Sequence, residues 1–470
     1  MLGNICPLAK GAKAMSNRRY SDFSRRGLLT GAAAMLAGSA AFAGISPALA
    51  QSIATKIKDV QTMTIVGGRT YVFVKVTTEN GHFGIGEAYG SPGVGVAEQI
   101  RSLRTYLIGK NPLEIDKLYT FMGSGDAGLS GTRTDGSAHN LMRAVSGIEM
   151  ALWDLAGKLL NTPTSVLLGG QFRQYVRVYD HSGPRDMFDK ASCREWADQV
   201  KVHPSGFTAH KIDVPRTQGI WQPPRNPAPN AGRAAPLSPP VDGLAPNIDN
   251  ARDPSNRQLT TKELMRIAQA YENCREAIGW DHDIMVHCHW EFDLASSLQL
   301  AEAVAPMKPL WLEDPLSVDY SDAWKRLAER SPVPILTGEN LTRREGFAPF
   351  IVNQGCDIIN PDLRNSGGFL ETKRIADLAA IYGMPMTTHN TGSQLYTYQV
   401  CQWAASIRDF LACETVTGEG GWMDQVLRLD GPYIQKGYVK VSDRPGTGAD
   451  LNKEVVEAHL APGEKWWGDS

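Results

Sequence analysis

Three things are scarce in this chain. Net charge is nearly absent: 48 basic residues against 50 acidic ones leave −2 with histidine neutral. A nucleic-acid groove or an anionic membrane surface calls for a basic excess, so neither is expected as a partner. Cysteine pairing is absent as well. The seven cysteines are scattered with no C-x-x-C pair, which speaks against a disulfide framework and a zinc ribbon. Long apolar runs are missing beyond the first fifty residues, so no later segment is expected to span a bilayer. What remains is an ordinary globular composition, 42% hydrophobic and 21% charged. The chain is long enough for two or three domains.

Residues 1–50 stand apart. Arg25 and Arg26 precede a weakly apolar, Ala/Gly-rich run that ends in Ala48-Leu49-Ala50. A charged start, an apolar middle and an A-x-A end are the plan of an export signal. The opening "SRRGLL" resembles the twin-arginine type, whose route carries folded proteins. An ordinary helix and a retained anchor compete with this reading, but so many Ala and Gly suit neither. Cleavage after Ala50 is expected to leave a periplasmic protein beginning at Gln51. A protein folded in a reducing cytoplasm is expected to keep its six remaining cysteines free.

Residues 51–170 read as an α+β unit. "TYVFVKVTTENGHFGIGEAYG" is a strand, an Asn-Gly turn and a strand. Residues 95–170 carry mostly helical spacing, ending at Asn161-Thr162-Pro163. From about residue 171 the rhythm changes. Strand candidates at 176–181, 207–213, 283–289, 309–315, 334–340, 356–362, 385–390 and 410–416 alternate with helices, one carrying Leu294, Leu298 and Ala301 on a single face. Eight such βα units predict a closed parallel TIM barrel over 171–416, with a doubly wound open sheet as the runner-up.

The strand starts are apolar and their ends ionisable: Lys211 and Asp213, His287 and His289, Glu313, Glu339, Asp362, His389, Glu414. In a βα barrel these ends form one rim, where catalytic groups gather. His287 and His289 are two apart, so in a strand both face one side and Cys288 the other. After the second strand, 214–259 holds ten prolines and no helical period. A lid or subunit contact is preferred there over a disordered linker.

Taken in order, these segments resemble the enolase superfamily, in its mandelate racemase/muconate lactonizing enzyme-like branch. "GIEMALWDLAGKLLNTPTSVLLGG" is similar to the junction of that family's capping domain with its barrel. "WLEDP", "TGEN", "INPDLRNSGG" and "THN" resemble the ends of its fourth to seventh strands. "PYIQKGYVKVSDRPGTG", within 417–470, resembles the segment that returns to the cap. The resemblance implies an α/β fold: a modified (β/α)7-8 barrel under an α+β capping domain. It also implies removal of a proton α to a carboxylate, with one divalent metal, usually magnesium, holding the charge that develops. By the same resemblance Glu313 and Glu339 are metal ligands. Asp362 and His389 form the dyad whose imidazole is the base, and Glu414 hydrogen-bonds the substrate carboxylate. Asp362 as a helix cap and Glu414 as a barrel salt bridge are the structural alternatives.

Two departures stand out. Racemase-like members carry Lys-x-Lys on the second strand; here it is Lys211-Ile212-Asp213. Losing one of two bases favours elimination, as in the galactonate- and mannonate-type dehydratases, over racemisation. Those dehydratases carry Asp-x-His on the third strand, a ligand and a general acid. His289 matches the acid, and His287 replaces the ligand. His287 either binds the metal, binds nothing, or marks a vestigial site. The first is preferred, and imidazole would admit Mn, Fe or Zn beside Mg. The expected activity is dehydration of an aldonate-like acid sugar to a 2-keto-3-deoxy acid. An epimerase or other lyase, and a non-catalytic acid-sugar binder, are the alternatives. Lys211, Asp213, His181 and Arg364 are candidate substrate contacts. Cap loops near 86–94 and 122–138 are expected to read stereochemistry, and a homo-oligomer is expected by resemblance.

Overall fold

In the structure, a computed structural model, the described residues are 53–90, 95–124, 138–215, 257–415 and 421–467. The expected signal region, the middle of the proline-rich insertion and the two cap-loop tips lie outside them.

The predicted hairpin forms as β2 (Thr70–Thr78) and β3 (Phe83–Ala88), and a strand β1 (Ile57–Val66) precedes it. The three pair antiparallel in the order β1-β2-β3. Gly81, in the Asn80-Gly81 turn, sits at φ 85°, a region that suits glycine. Helices α1 (Val96–Leu107), α2 (Ile115–Ser124) and α3 (Ala138–Leu159) follow. One face of the sheet packs on them through Val72, Val74, Val76, Ile148, Leu152 and Leu155. Glycines explain how close α3 comes. A Cβ on Gly84 or Gly86 of β3 would collide with the α3 backbone at Ala151 and Gly147.

A closed barrel follows. Its strands are β4 (Tyr175–His181), β5 (Ala209–Asp213), β6 (Asp283–His287), β7 (Leu312–Glu313), β8 (Ile335–Thr337), β9 (Ile358–Ile359), β10 (Met386–Thr388) and β11 (Phe410–Thr415). Each pairs parallel with the next, and β11 closes on β4 through Glu414↔Tyr179. A short β12 (Tyr438–Lys440) adds antiparallel to the start of β4. The strand positions match the sequence expectation, but most strands are shorter. The polar ends of the candidate segments continue past the last ladder pair into the rim loops.

Strand alternation builds the interior in layers. Tyr179, Ala209, Met285, Trp311, Leu336, Ile358 and Ala412 form a buried apolar plug. Two residues further along four of these strands come Lys211, His287, Glu313 and Glu414. The plug is thus the floor of the polar mouth. Outward-facing Ile212, Ile284, Val286 and Cys288 join the larger core between barrel and helices. The opposite face of the cap sheet buries Met63, Ile65, Tyr71 and Phe73 against Leu427, Leu451, Val456 and Trp467 of the C-terminal segment. Among the described residues no helix is long and apolar enough to cross a membrane. The six described cysteines are all free and buried.

Candidate metal centre and active site

His287 and His289 are placed by a strand end. β6 stops at His287. His289 and Trp290 take left-handed backbone angles, φ 52° and 59°. His289 therefore reaches the rim by a turn and not by the pleat, which corrects the expected 283–289 strand. The two imidazoles still meet, with ring centroids 3.7 Å apart. His287 is buried, while the His289 side chain is 43% exposed. Cys288 points outward into the core, as alternation requires.

His287 Nε2 lies 3.9 Å from Glu313 Oε1 and 3.9 Å from Glu339 Oε2. A fourth group, Asp314, joins them: one donor atom from each of His287, Glu313, Asp314 and Glu339 lies within 4.8 Å of the others. Asp314 escaped the sequence reading because a strand residue next to Glu313 should face outward. Its φ of 49° turns it back toward the rim. Thr337 donates to its Oδ1 at 2.6 Å. Burial, then Glu339 and Glu313, push its carboxyl well above the usual range.

Three buried atoms of this cluster have no hydrogen-bond partner: His287 Nε2, Asp314 Oδ2 and Glu339 Oε2. A buried polar atom left unmatched costs about 1–3 kcal/mol. A divalent cation would satisfy all three at once, so the donor set fits one. His287, Glu313 and Glu339 would hold it, with Asp314 beside them. A nitrogen among the oxygens suits Mn, Fe, Co, Ni or Zn better than Mg.

Lys211 ties the cluster to the rest of the mouth. Its ammonium donates to Glu313 Oε1 at 3.1 Å and to Glu414 Oε1 at 2.8 Å. Burial opposes its charge, but the two glutamates and Glu339 outweigh it and raise its pKa. Glu313 is the mirror case. Burial raises it, and Lys211 with His287 brings it below its ordinary value. Glu414 is likewise driven well down, against burial, by Lys211 and His389. Its Oε2 accepts the Asn390 backbone N–H at 3.2 Å. The salt-bridge role of Glu414 is therefore present in the structure.

Across the mouth, His389 Nδ1 meets Asp362 Oδ2 at 2.9 Å, and its Nε2 lies 3.5 Å from Glu339 Oε2. Burial works against a cationic His389, but Glu339, Glu414 and Asp362 prevail and raise it. Asp362 also accepts the Arg364 backbone N–H at 2.9 Å and the Tyr396 hydroxyl at 2.8 Å. So it caps the short helix α4 (Leu363–Ser366) while holding the imidazole. The Arg364 guanidinium lies behind this dyad. It donates to Asp362 at 3.0 and 2.7 Å, to Glu87 of β3 at 3.0 Å and to Thr391 at 3.2 Å. Tyr89 and Tyr396 flank it, 4.4 and 4.0 Å from its Cζ. Its side chain is 2% exposed, which places it in a structural clamp and not at the open mouth.

On the other side His181 Nε2 and Asp213 Oδ1 are 2.8 Å apart, and His181 Nδ1 is 3.5 Å from Glu414. Burial pushes His181 down, but Asp213 and Glu414 outweigh it and bring it to about 9. Asp213 Oδ1 also meets His287 Nδ1 at 3.1 Å and lies 3.9 Å from His289 Nδ1. Burial raises the Asp213 carboxyl, yet His181 and His287 hold it far below the usual range. His289 is pushed down to about 3 by desolvation and then by His287. Arg143, on α3, is a second group the sequence reading missed. Its hydrogen bonds go to two amides, Asn365 at 2.8 Å and Asn140 at 3.4 Å. It lies 4.5 Å over the Tyr89 ring. In sequence it looks like any helical surface cation.

Comparison with known proteins agrees with this architecture. A family model described as the mandelate racemase/muconate lactonizing enzyme N-terminal domain matches residues 48–169. One described as enolase C-terminal domain-like matches residues 193–455. The chain belongs to the enolase superfamily, in the mandelate racemase/muconate lactonizing enzyme branch that includes acid-sugar dehydratases. Within that branch it is 34% identical to a D-xylonate dehydratase of Haloferax volcanii, over 87% of this chain and 90% of that one. It is 25% identical to a D-galactarolactone cycloisomerase of Agrobacterium fabrum, over 84% and 92%. A solved mandelate racemase/muconate lactonizing enzyme-like protein from Rubrobacter xylanophilus superposes with a TM-score of 0.75 at 29% identity, covering 88% of this chain and all of that one.

Proposed function

We propose that the protein is a hydro-lyase that dehydrates a sugar acid, a five- or six-carbon aldonate, to its 2-keto-3-deoxy acid. The observation that carries this reading is the fate of the second-strand base. Asp213 stands where a second lysine would serve a racemase. It is tied to two imidazoles and held ionised far below the usual carboxylate range, so it is a poor base. His389 is left as the single base of the mouth, and His289 stands against His287 as a separate proton donor. One base and one acid suit an elimination better than a two-base inversion. The likeness to a D-xylonate dehydratase supports the substrate class.

The residues divide the work as follows. A divalent cation held by His287, Glu313 and Glu339 supplies the positive charge that a carbanion beside a carboxylate needs. Lys211 offsets the charge of Glu313 and Glu414 next to it. Asp362 fixes the His389 ring through Nδ1 and leaves Nε2 to take the α-proton. Glu339 helps keep His389 cationic in the free site. With Glu339 serving as a ligand that attraction would weaken, which would favour the neutral imidazole a base needs. His289 rests neutral. The negative charge of a bound substrate favours its protonated form, from which it gives a proton to the departing β-hydroxyl.

The test uses the protein loaded with Mn2+ or Mg2+ and a panel of aldonates beginning with D-xylonate. A 2-keto acid trapped by semicarbazide supports the reading. Deuterium entering recovered substrate without loss of water selects an epimerase or cycloisomerase, the second reading suggested by the Agrobacterium relative. In His289→Asn the reading requires keto-acid formation to fall about 10²–10⁴-fold while α-deuterium exchange persists. Loss of both together would remove His289 from the acid role. We also propose that the chain is exported, on the strength of Arg25-Arg26 and Ala48-Leu49-Ala50, and that it works as a homo-oligomer.

A further inference from the structure

Two departures from the family pattern fall on neighbouring strands. The second strand ends in Asp213 where a lysine would stand, and the third ends in His287 where an aspartate would. In the ladder between β5 and β6 these residues are direct register partners. We infer that the two residues act together: Asp213 is the positioning residue that makes His287 a metal ligand. The inference rests on the reading that His287, Glu313 and Glu339 hold a divalent cation.

The hydrogen bond sets the tautomer. An ionised carboxylate only accepts. At 3.1 Å from Asp213 Oδ1, His287 Nδ1 must carry the ring hydrogen. In the neutral imidazole Nε2 then bears the lone pair. That atom is the one aimed at Glu313 and Glu339, buried and without a hydrogen-bond partner. A lysine at 213 would present N–H groups to Nδ1. The ring would then place its hydrogen on Nε2, pointing a donor where a ligand is needed. An aspartate at 287 would set two carboxylates against each other at paired positions. Each residue suits only its present partner.

The carboxylate is itself held. His181 Nε2 meets the same Oδ1 at 2.8 Å, and His181 Nδ1 reaches toward Glu414 at 3.5 Å. An arc of hydrogen-bonding groups thus runs from Glu414 through His181 and Asp213 to His287. A carboxylate behind a ligating imidazole fixes the ring and raises its basicity. The negative charge missing from the ligand set has moved one residue outward. The cation this arrangement takes is one that accepts nitrogen: Mn, Fe, Co, Ni or Zn in preference to Mg.

Mn2+ affinity, followed by the electron paramagnetic resonance of free Mn2+, separates the possibilities without any turnover. The chelator-stripped full chain is compared with Asp213→Asn, His287→Asp and the double variant. Melting of each metal-free protein controls for folding. Asp213→Asn is expected to weaken Mn2+ about 10–100-fold while the metal-free protein still melts cooperatively. His287→Asp alone is expected to bind poorly, because Asp213 repels the new carboxylate. The double variant is expected to bind better than either single one and to gain Mg2+ affinity. Asp213→Asn binding Mn2+ within twofold of wild type, or a double variant whose loss is the sum of the two single losses, overturns the inference and leaves the metal site standing. A wild-type chain with no Mn2+ affinity overturns the metal site and the inference together.

Discussion

Replacing Arg364 by methionine separates a structural clamp from a substrate contact. The side chain is buried, and its guanidinium makes four hydrogen bonds, two to Asp362, one to Glu87 and one to Thr391. Removing one partner of a buried ion pair costs about 3–5 kcal/mol. Both carboxylates keep other donors here. Glu87 accepts the Ser393 backbone N–H at 3.2 and 3.3 Å and its hydroxyl at 2.5 Å. Asp362 keeps Tyr396, His389 and a backbone N–H. The loss should therefore fall near the lower end, about 3 kcal/mol. At roughly 2 cal/mol/K of unfolding entropy per residue, that is a fall of several degrees in melting temperature for a unit of some 400 residues. The deficit has a pH signature. Burial already raises Glu87 above its ordinary value against the pull of Arg364. Without the arginine it rises further. A carboxyl raised in the folded state contributes fully below its unfolded pKa, and the contribution is lost as pH climbs through the folded one. The variant should thus lie closer to wild type at pH 5 than at pH 8 in calorimetry. An unchanged melting temperature with only KM raised would refute the clamp and return Arg364 to the substrate.

Other outcomes follow from the same geometry. His389→Asn should abolish α-deuterium exchange and keto-acid formation together, by at least about 10²-fold, and exchange surviving in this variant would exclude His389 as the base. His181→Gln should lower the melting temperature most below about pH 6.5, and the difference from wild type should vanish as pH rises through about 9. That sign follows from a histidine raised in the folded state, and a pH-independent difference would rule out its pairing with Asp213 and Glu414. His287→Ala should lose bound metal, read by elemental mass spectrometry on protein purified without chelators, and full retention would take His287 out of the ligand set.

Much of this arrangement was legible in the sequence. Strand order, the parallel barrel and most rim residues followed from apolar starts and ionisable ends, because a barrel strand shows its inner face every second residue. Strand length was not legible. Leu312–Glu313 is a two-residue strand inside a seven-residue strand candidate, because Asp314 turns left-handed straight after it. That turn also hid Asp314 from any alternation argument. Arg143 was invisible for another reason: its partner Asn365 is 222 residues away. His287 stands out in the sequence as an oddity. What explains it, the register between β5 and β6, is a pairing that no single strand encodes.

Contacts between the cap and the rest of the chain bear on the order in which the chain folds. Glu87 of β3 bonds Ser393, 306 residues later, and the Ile85 carbonyl accepts from Gln399, 314 residues later. Asp154, at the end of α3, accepts from Thr447, 293 residues later. β12 pairs with the first barrel strand only after all the others have been made. Each of these buried groups waits for a partner made about 300 residues later. Contacts of such long range make folding slow, and incomplete intermediates expose apolar surface in the meantime. The cap sheet, synthesised early, waits for residues beyond 390 before its second face and its carboxylates are covered. A protein built this way completes its cap late, so if it is exported through a channel for folded proteins, maturation must precede transit.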